Sequence, residues 1–263
     1  MFSFFNARLP IDDDEFEWLL ACFKWFLEEF GGLDRFRGTS LIHPTESFFP
    51  ASEMSGHDRA MELFLQVKAY VGMVDWQCDL KAGATERESR VSAGLALRQL
   101  GRSPPLGTFG YENGRYWISY NPAELARPPN LVATFAHELA HYLMHTATTV
   151  PPGGRELEEH ATDLAAVYLG FGIFMANSAK TFRQFQNFEE MGWEMRPQGY
   201  LSELALVTGL AIFVRLIDID SKVVAQSLKD YLRKPFRSAL AAVERRYPDL
   251  GSAIASVDLS DWR

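Results

Sequence analysis

The sequence predicts an α+β fold in which a small antiparallel or mixed sheet packs on one helix and a largely helical part follows. Three observations predict it. Apolar residues recur at helical spacing near the start of the chain and through most of its second half. An alternating segment and a hairpin signal lie between these regions, within residues 74–120. The order of helix, strand, hairpin and then helices is typical of α+β proteins rather than of βαβ units.

Length and composition favour one globular domain. The chain has 263 residues, of which 47 % are hydrophobic and 23 % are charged. That composition supplies a substantial core and excludes wholesale disorder. No Pro- or Gly-rich linker divides the chain convincingly, so we expect a single domain over 1–263. Within it, 1–55 form an N-terminal helix and connector, 56–175 the core, and 176–263 a helical C-terminal part.

Charge and cysteine content exclude several classes of protein. The net charge is −8, whereas a sequence-independent nucleic-acid binder is normally basic, so no nucleic-acid partner is expected. The two cysteines, Cys22 and Cys78, are too few for a disulfide scaffold or a cysteine-based zinc finger. Neither an export signal nor an apolar run of about 20 residues is visible, so we expect a cytoplasmic protein without a membrane span.

The N-terminal region predicts two helices. The first follows the acidic run Asp12–Asp14, which suits a helix N-terminus, and stops at Gly31. Its apolar positions are Phe16, Leu19, Leu20, Phe23, Phe26, Leu27 and Phe30. A second helix is predicted over 58–71, and the Pro- and Ser-containing segment 33–55 is predicted to be an extended connector.

The predicted sheet comes from two segments. The first alternates apolar with polar residues, as in a strand with one buried face, at Val74, Trp76, Cys78 and Leu80. In the second, two aromatic-rich runs within 107–120 flank Asn113-Gly114, a pair that tolerates the positive φ angles of tight hairpin turns. We therefore expect one strand followed by a hairpin.

The second half of the chain predicts helices. One covers 130–145, after a pair of prolines, and another covers 156–171, after the breaker Pro151–Gly154. Four more are predicted over 178–190, 201–217, 221–232 and 235–247. No strand pattern separates them, so the C-terminal part is expected to be helical.

The segment from His137 to His141 reads His-Glu-Leu-Ala-His. On a helix, residues i and i+4 lie about 40° apart and about 6 Å along the axis, so both imidazoles can bind one metal ion. Glu138 lies about 100° round from His137, where it can reach a water molecule on that ion. The opposite arc is apolar and would pack into the core. The pattern predicts a metal site that faces a cleft.

A third ligand is expected on the next helix, because catalytic zinc sites usually have three protein ligands. Glu159 and Asp163 are one helical turn apart, so both can face the first helix. Glu159 would ligate the ion, and Asp163 would accept the other ring N–H of a ligand histidine. Glu156 and Glu158 are open alternatives to Glu159, and of these Glu156 is nearer the same face.

These residues resemble those of the gluzincin zinc metallopeptidases, the class that includes thermolysin. The resemblance rests on His137-Glu138-x-x-His141 followed by Glu159-x-x-x-Asp163, and the short spacing is similar to that of compact ImmA/IrrE-type proteases. It covers about residues 58–175. The metzincin pattern does not fit, because it needs Gly at 144 and His at 147. The resemblance implies that an edge strand, by position 115–120, pairs with extended substrate.

The resulting hypothesis is a Zn²⁺-dependent peptidase acting on a peptide or protein. His137, His141 and Glu159 would hold the ion, and Glu138 would act as general base. The resemblance also implies a Tyr or His that stabilises the transition state, and the candidates are Tyr200, His145 and His160. The alternative is a non-catalytic or regulatory binding module that keeps a similar metal site.

Overall fold

The computed structural model describes residues 8–83, 106–112, 114–186 and 201–262, with side chains as far as residue 180 in the third range. Tyr200, Asn113 and the last four residues of the helix predicted over 178–190 lie outside the described residues. The predicted α+β class is confirmed, with one small mixed sheet and a largely helical remainder. No helix in these ranges is long and apolar enough to cross a membrane.

The N-terminal helices are α1 (Asp13–Glu29), α2 (Gly32–Phe36) and α3 (Gly56–Tyr70). The side chain of Asp12 caps α1 by accepting a hydrogen bond from the Glu15 N–H at 2.7 Å. Most of the predicted apolar positions of α1 are buried in the core together with Trp18 and Trp25, and Leu27 and Phe30 are partly buried against it. The predicted first helix is therefore confirmed, and α3 begins two residues before its predicted start. The connector predicted to be extended over 33–55 is helical at its start, because α2 occupies residues 33–36.

The sheet contains β1 (Cys78–Ala82), β2 (Gly107–Glu112) and β3 (Arg115–Tyr120). Its order is β1-β3-β2, with β1 parallel and β2 antiparallel to β3. The alternation from Val74 is a strand only from Cys78 onward. The residues before it form a turn, in which the Trp76 N–H donates to the Met73 carbonyl at 3.1 Å.

The central helix, α4 (Pro128–Met144), starts with two prolines, which the first turn of a helix tolerates because its N–H groups lack intrahelical partners. A 3₁₀ turn, Pro122–Ala126, leads into it. One side of α4 packs on β2 and β3, and others pack on α3 and on the next helix, α5 (Glu158–Ala166). Every residue from 131 to 140 is buried, so α4 runs through the middle of the core.

A π-helical turn, Val167–Phe171, joins α5 directly to α6 (Gly172–Gln186). Gly170 has φ 95°, and its carbonyl accepts a hydrogen bond from the Ile42 N–H at 2.9 Å. A Cβ at Gly170 would collide with the carbonyl oxygen of Ser40. The connector near Ser40 and Ile42 therefore crosses the helix at this glycine. The gap that the sequence predicted between two separate helices, from 171 to 178, is wrong.

The C-terminal part contains α7 (Glu203–Ile217), α8 (Ser221–Ser227), α9 (Asp230–Arg246), α10 (Leu250–Ala255) and a 3₁₀ turn, Leu259–Trp262. The predicted break between 232 and 235 is wrong, because α9 runs through Pro235 and the break falls at the extended residue Leu228. Burial of Leu232, Phe236 and Val243, in a helix that packs on α7, compensates for the N–H that proline lacks.

Candidate metal centre

Three predicted ligands meet between α4 and α5. His137 Nε2 lies 3.1 Å from His141 Nε2, and these two atoms lie 3.4 and 3.5 Å from Glu159 Oε2. His137 and His141 are one turn apart on α4, whereas Glu159 is in the first turn of α5. Of the residues that the structure describes, only these form a group of three able to hold a metal ion.

The spacing of the three atoms fits a tetrahedral zinc site. Zinc–nitrogen and zinc–oxygen distances are about 2.0–2.1 Å, so neighbouring ligands of a tetrahedral ion lie about 3.3–3.4 Å apart. The three distances in the triad bracket this value. Three protein ligands are also the number that catalytic zinc sites usually contain. His137, His141 and Glu159 therefore fit the protein-supplied corners of such a site.

Asp163 orients His137 from the next turn of α5. Its Oδ1 lies 2.9 Å from His137 Nδ1, and its Oδ2 accepts a hydrogen bond from the Leu201 N–H at 2.8 Å. Only 1 % of Asp163 is exposed. Because the Asp163 carboxylate accepts a hydrogen bond from the N–H at Nδ1, the Nε2 lone pair of His137 is directed toward the triad.

His141 has a weaker partner at the same ring position. The Thr162 hydroxyl donates to the Glu158 carbonyl at 2.8 Å and lies 3.4 Å from His141 Nδ1. An oxygen lone pair of Thr162 is thus available to an N–H at Nδ1. Both histidines then direct an Nε2 lone pair toward the Glu159 carboxylate. Because lone pairs and a negative charge repel one another, this arrangement requires a proton or a cation between the three atoms.

The pKa values of His137 and Glu159 reflect this requirement. Burial disfavours charge on His137, but hydrogen bonds to Asp163 and Glu159 outweigh it and raise the pKa of His137 to about 10. Burial acts to raise the pKa of Glu159, yet its hydrogen bonds to His137 and His141 lower it well below the usual range. Both shifts favour a protonated His137 beside an ionised Glu159 when no metal is bound.

Glu138 lies beside the triad without belonging to it. Its side chain is buried on α4, with 4 % of the residue exposed, and β2 passes over it at Gly107. A Cβ at Gly107 would lie 2.6 Å from both Glu138 Oε1 and Thr134 Cγ2. Burial raises the pKa of Glu138, while the two histidines act to lower it. Only glycine lets the strand approach this carboxyl so closely.

The other candidate ligands and transition-state donors that the structure describes lie outside the triad. His145 is exposed at the end of α4, with its ring 6.2 Å from that of Phe109 and 5.7 Å from that of Tyr116. His160 packs edge-on against Trp18 of α1 at 6.4 Å, and burial lowers its pKa. Glu156 and Glu158 are exposed and do not join the triad.

The strand beside the site is not the expected one. Residues 115–120 form β3, the middle strand, whereas β2 is an edge strand within the described part of the sheet. The Asn121 N–H donates to the Leu106 carbonyl, so Leu106, Thr108 and Gly110 pair with the hairpin partner. The backbone groups of the alternate residues, Gly107, Phe109 and Tyr111, point to the outer edge.

Several contributors to the site were missed by sequence reasoning. Gly107 and Phe109 were assigned only to a hairpin, although a glycine in a strand is a signal of close backbone approach. The ring of Phe109 lies nearly parallel to that of His141, at 4° and 6.4 Å. Thr162 and the Leu201 N–H carried no readable signal. No protein-family model, curated protein or solved structure matches the chain.

Proposed function

We propose that the chain is a zinc-dependent peptidase that hydrolyses peptide bonds in peptides or proteins. The observation that carries the proposal is the triad of His137, His141 and Glu159, whose three distances of 3.1–3.5 Å fit a tetrahedral ion. These residues would hold the zinc. When bound, zinc supplies a Lewis acid that polarises a carbonyl group and makes water more acidic.

Glu138 is the general base in this proposal. It would accept a proton from the attacking water and return it to the leaving amide nitrogen, so that a neutral amine departs. A base that must both accept and return a proton works best when its pKa is closer to neutral than that of an exposed carboxylate. The burial of Glu138, which raises its pKa, supports this role.

Asp163 and β2 have supporting roles. Asp163 would hold the His137 ring in the tautomer that directs Nε2 at the ion, with the Leu201 N–H fixing the carboxylate in turn. The outer edge of β2 would pair with the backbone of an extended substrate, as the gluzincin resemblance implies for an edge strand. Gly107 would bring that substrate next to Glu138.

We also propose a cytoplasmic location. Both cysteines are unpaired, and Cys22 is buried, which suits a reducing compartment. The net charge of −8 argues against a nucleic-acid partner.

The test is a comparison of wild type with Glu138→Gln after zinc reconstitution. Wild type should hold about one zinc ion and cleave members of a mixed peptide library. Glu138→Gln should keep the zinc and lose roughly 10²–10⁴-fold in rate or more, because the proton acceptor is gone while the ligands remain. Zinc loss in the Gln variant would make Glu138 a ligand. A wild-type protein that holds zinc but cleaves nothing would instead be the non-catalytic binding module.

A further inference from the structure

Aromatic rings continue from the metal triad along β2. Phe109 and Tyr111 of β2, Tyr116 of β3 and His145 at the end of α4 form one group, which we call the aromatic shelf. Within it, the Phe109 and Tyr116 rings are 5.7 Å apart and nearly parallel, and the Tyr111 and Tyr116 rings are 4.7 Å apart. The shelf begins at the ligand histidine, because Phe109 lies against His141.

The outer part of the shelf is open to solvent. Tyr111 is 61 % exposed and His145 is exposed, whereas Tyr142, which packs against Phe109 and Tyr116, is buried. The shelf therefore presents an aromatic surface to solvent directly beside the proposed reaction site, which is where binding surfaces concentrate.

The backbone of β2 determines which part of a bound peptide meets the shelf. Gly107, Phe109 and Tyr111 direct their N–H and C=O groups to the outer edge, and their side-chain positions face α4. A peptide paired with that edge places the residues opposite them on the same face. In the proposed function the reacting bond would lie opposite Gly107, because a Cβ at this residue would be 2.6 Å from Glu138 Oε1. Phe109 and Tyr111 follow at about 7 and 13 Å along the strand.

We propose that the aromatic shelf is a substrate subsite that selects an aromatic or large aliphatic side chain two to four residues from the scissile bond. The inference rests on the proposed peptidase function and adds a substrate class to it. Such a side chain would cover the exposed ring of Tyr111 and lie beside the imidazole of His145. Small or acidic side chains at that position would leave the rings in water and gain nothing from them.

The test uses peptide hydroxamates, whose hydroxamate group chelates zinc and so anchors a short peptide at the triad. Two series of probes are used: in one the peptide extends from the acyl side of the hydroxamate, and in the other from its nitrogen side. Within each series, Phe and Ala are compared at one position at a time, from the first to the fourth residue. Affinity is measured by calorimetry for zinc-loaded wild type, Tyr111→Ala, and Tyr231→Ala as a control. Tyr231 is also an exposed tyrosine, at 44 %, but lies on α9.

In one series, wild type and Tyr231→Ala should bind the Phe probe about 3- to 10-fold more tightly than the Ala probe at the second to fourth residue. Tyr111→Ala should lose this preference and bind the Ala probe as wild type does. Equal affinity for the two probes in wild type, or a preference that survives in Tyr111→Ala, would overturn the subsite. The same sequences are also tested as ordinary amide peptides. Equal cleavage of the Phe and Ala peptides would support the peptidase function but not the subsite, whereas cleavage of neither would overturn both.

Discussion

Replacing Gly107 by alanine should damage hydrolysis while sparing the metal site. The added Cβ would lie 2.6 Å from Glu138 Oε1 and from Thr134 Cγ2, whereas ordinary contacts begin at 3.4 Å. One side must therefore move by about 0.8 Å. Thr134 is 1 % exposed and Glu138 is 4 % exposed, so the collision falls between buried groups. Gly107 does not have a positive φ, so the collision is the only new strain.

The expected size of the effect follows from that displacement. Overpacking of a buried contact costs about 1–3 kcal/mol in the free energy of unfolding. A catalytic group displaced by about 1 Å loses about 10²-fold in rate. Zinc stoichiometry should not change, because the three atoms nearest to the added Cβ belong to Glu138 and Thr134 and not to the triad. The result should be a folded, zinc-loaded protein with a kcat/KM about 100-fold below that of wild type.

The assay combines chemical denaturation, metal analysis and cleavage of a peptide identified with wild type. Gly251→Ala is the matched control, since its Cβ would come no closer than 3.3 Å, to the end of the Leu33 side chain. It should be close to wild type in all three measurements. If Gly107→Ala retained wild-type stability and activity, β2 would not pass over Glu138. If Gly107→Ala lost zinc, β2 would support the metal ligands as well as Glu138, and the prediction that only Glu138 is disturbed would be wrong.

Two further predictions concern the metal directly. Glu159→Ala should lower zinc affinity severely in a chelator competition. Glu156→Ala and Glu158→Ala should leave zinc affinity nearly unchanged, because both glutamates are exposed outside the triad. A large loss of affinity in Glu156→Ala would mean that α5 is rotated relative to α4. Zinc affinity should also rise about tenfold per pH unit between pH 7 and 9, since the pKa of His137 is raised to about 10 and each bound ion displaces its proton. An affinity that is constant between pH 7 and 9 would contradict the second prediction.

The sequence by itself determined the relations that lie within one helix. His137 and His141 face the same way because the i, i+4 spacing of an α-helix requires it. The same spacing places Asp163 one turn after Glu159. The acidic cap of α1 was also readable, and the two prolines marked the start of α4 to within two residues, since caps and breakers act over a few residues. The fold class followed from the order of these local patterns.

Only the tertiary structure decided relations between distant segments. The aromatic-rich runs that flank Asn113-Gly114 predicted a hairpin, but the choice of β2 as the edge strand depends on β1 pairing in parallel with β3. The path of the connector past Gly170 made α5 continue into α6, and packing on α7 carried α9 through Pro235. The approach of Gly107 to Glu138 joins residues 31 positions apart, and Leu201 reaches Asp163 across 38. Local propensity acts over one or two helical turns, so such contacts arise only when the whole core packs.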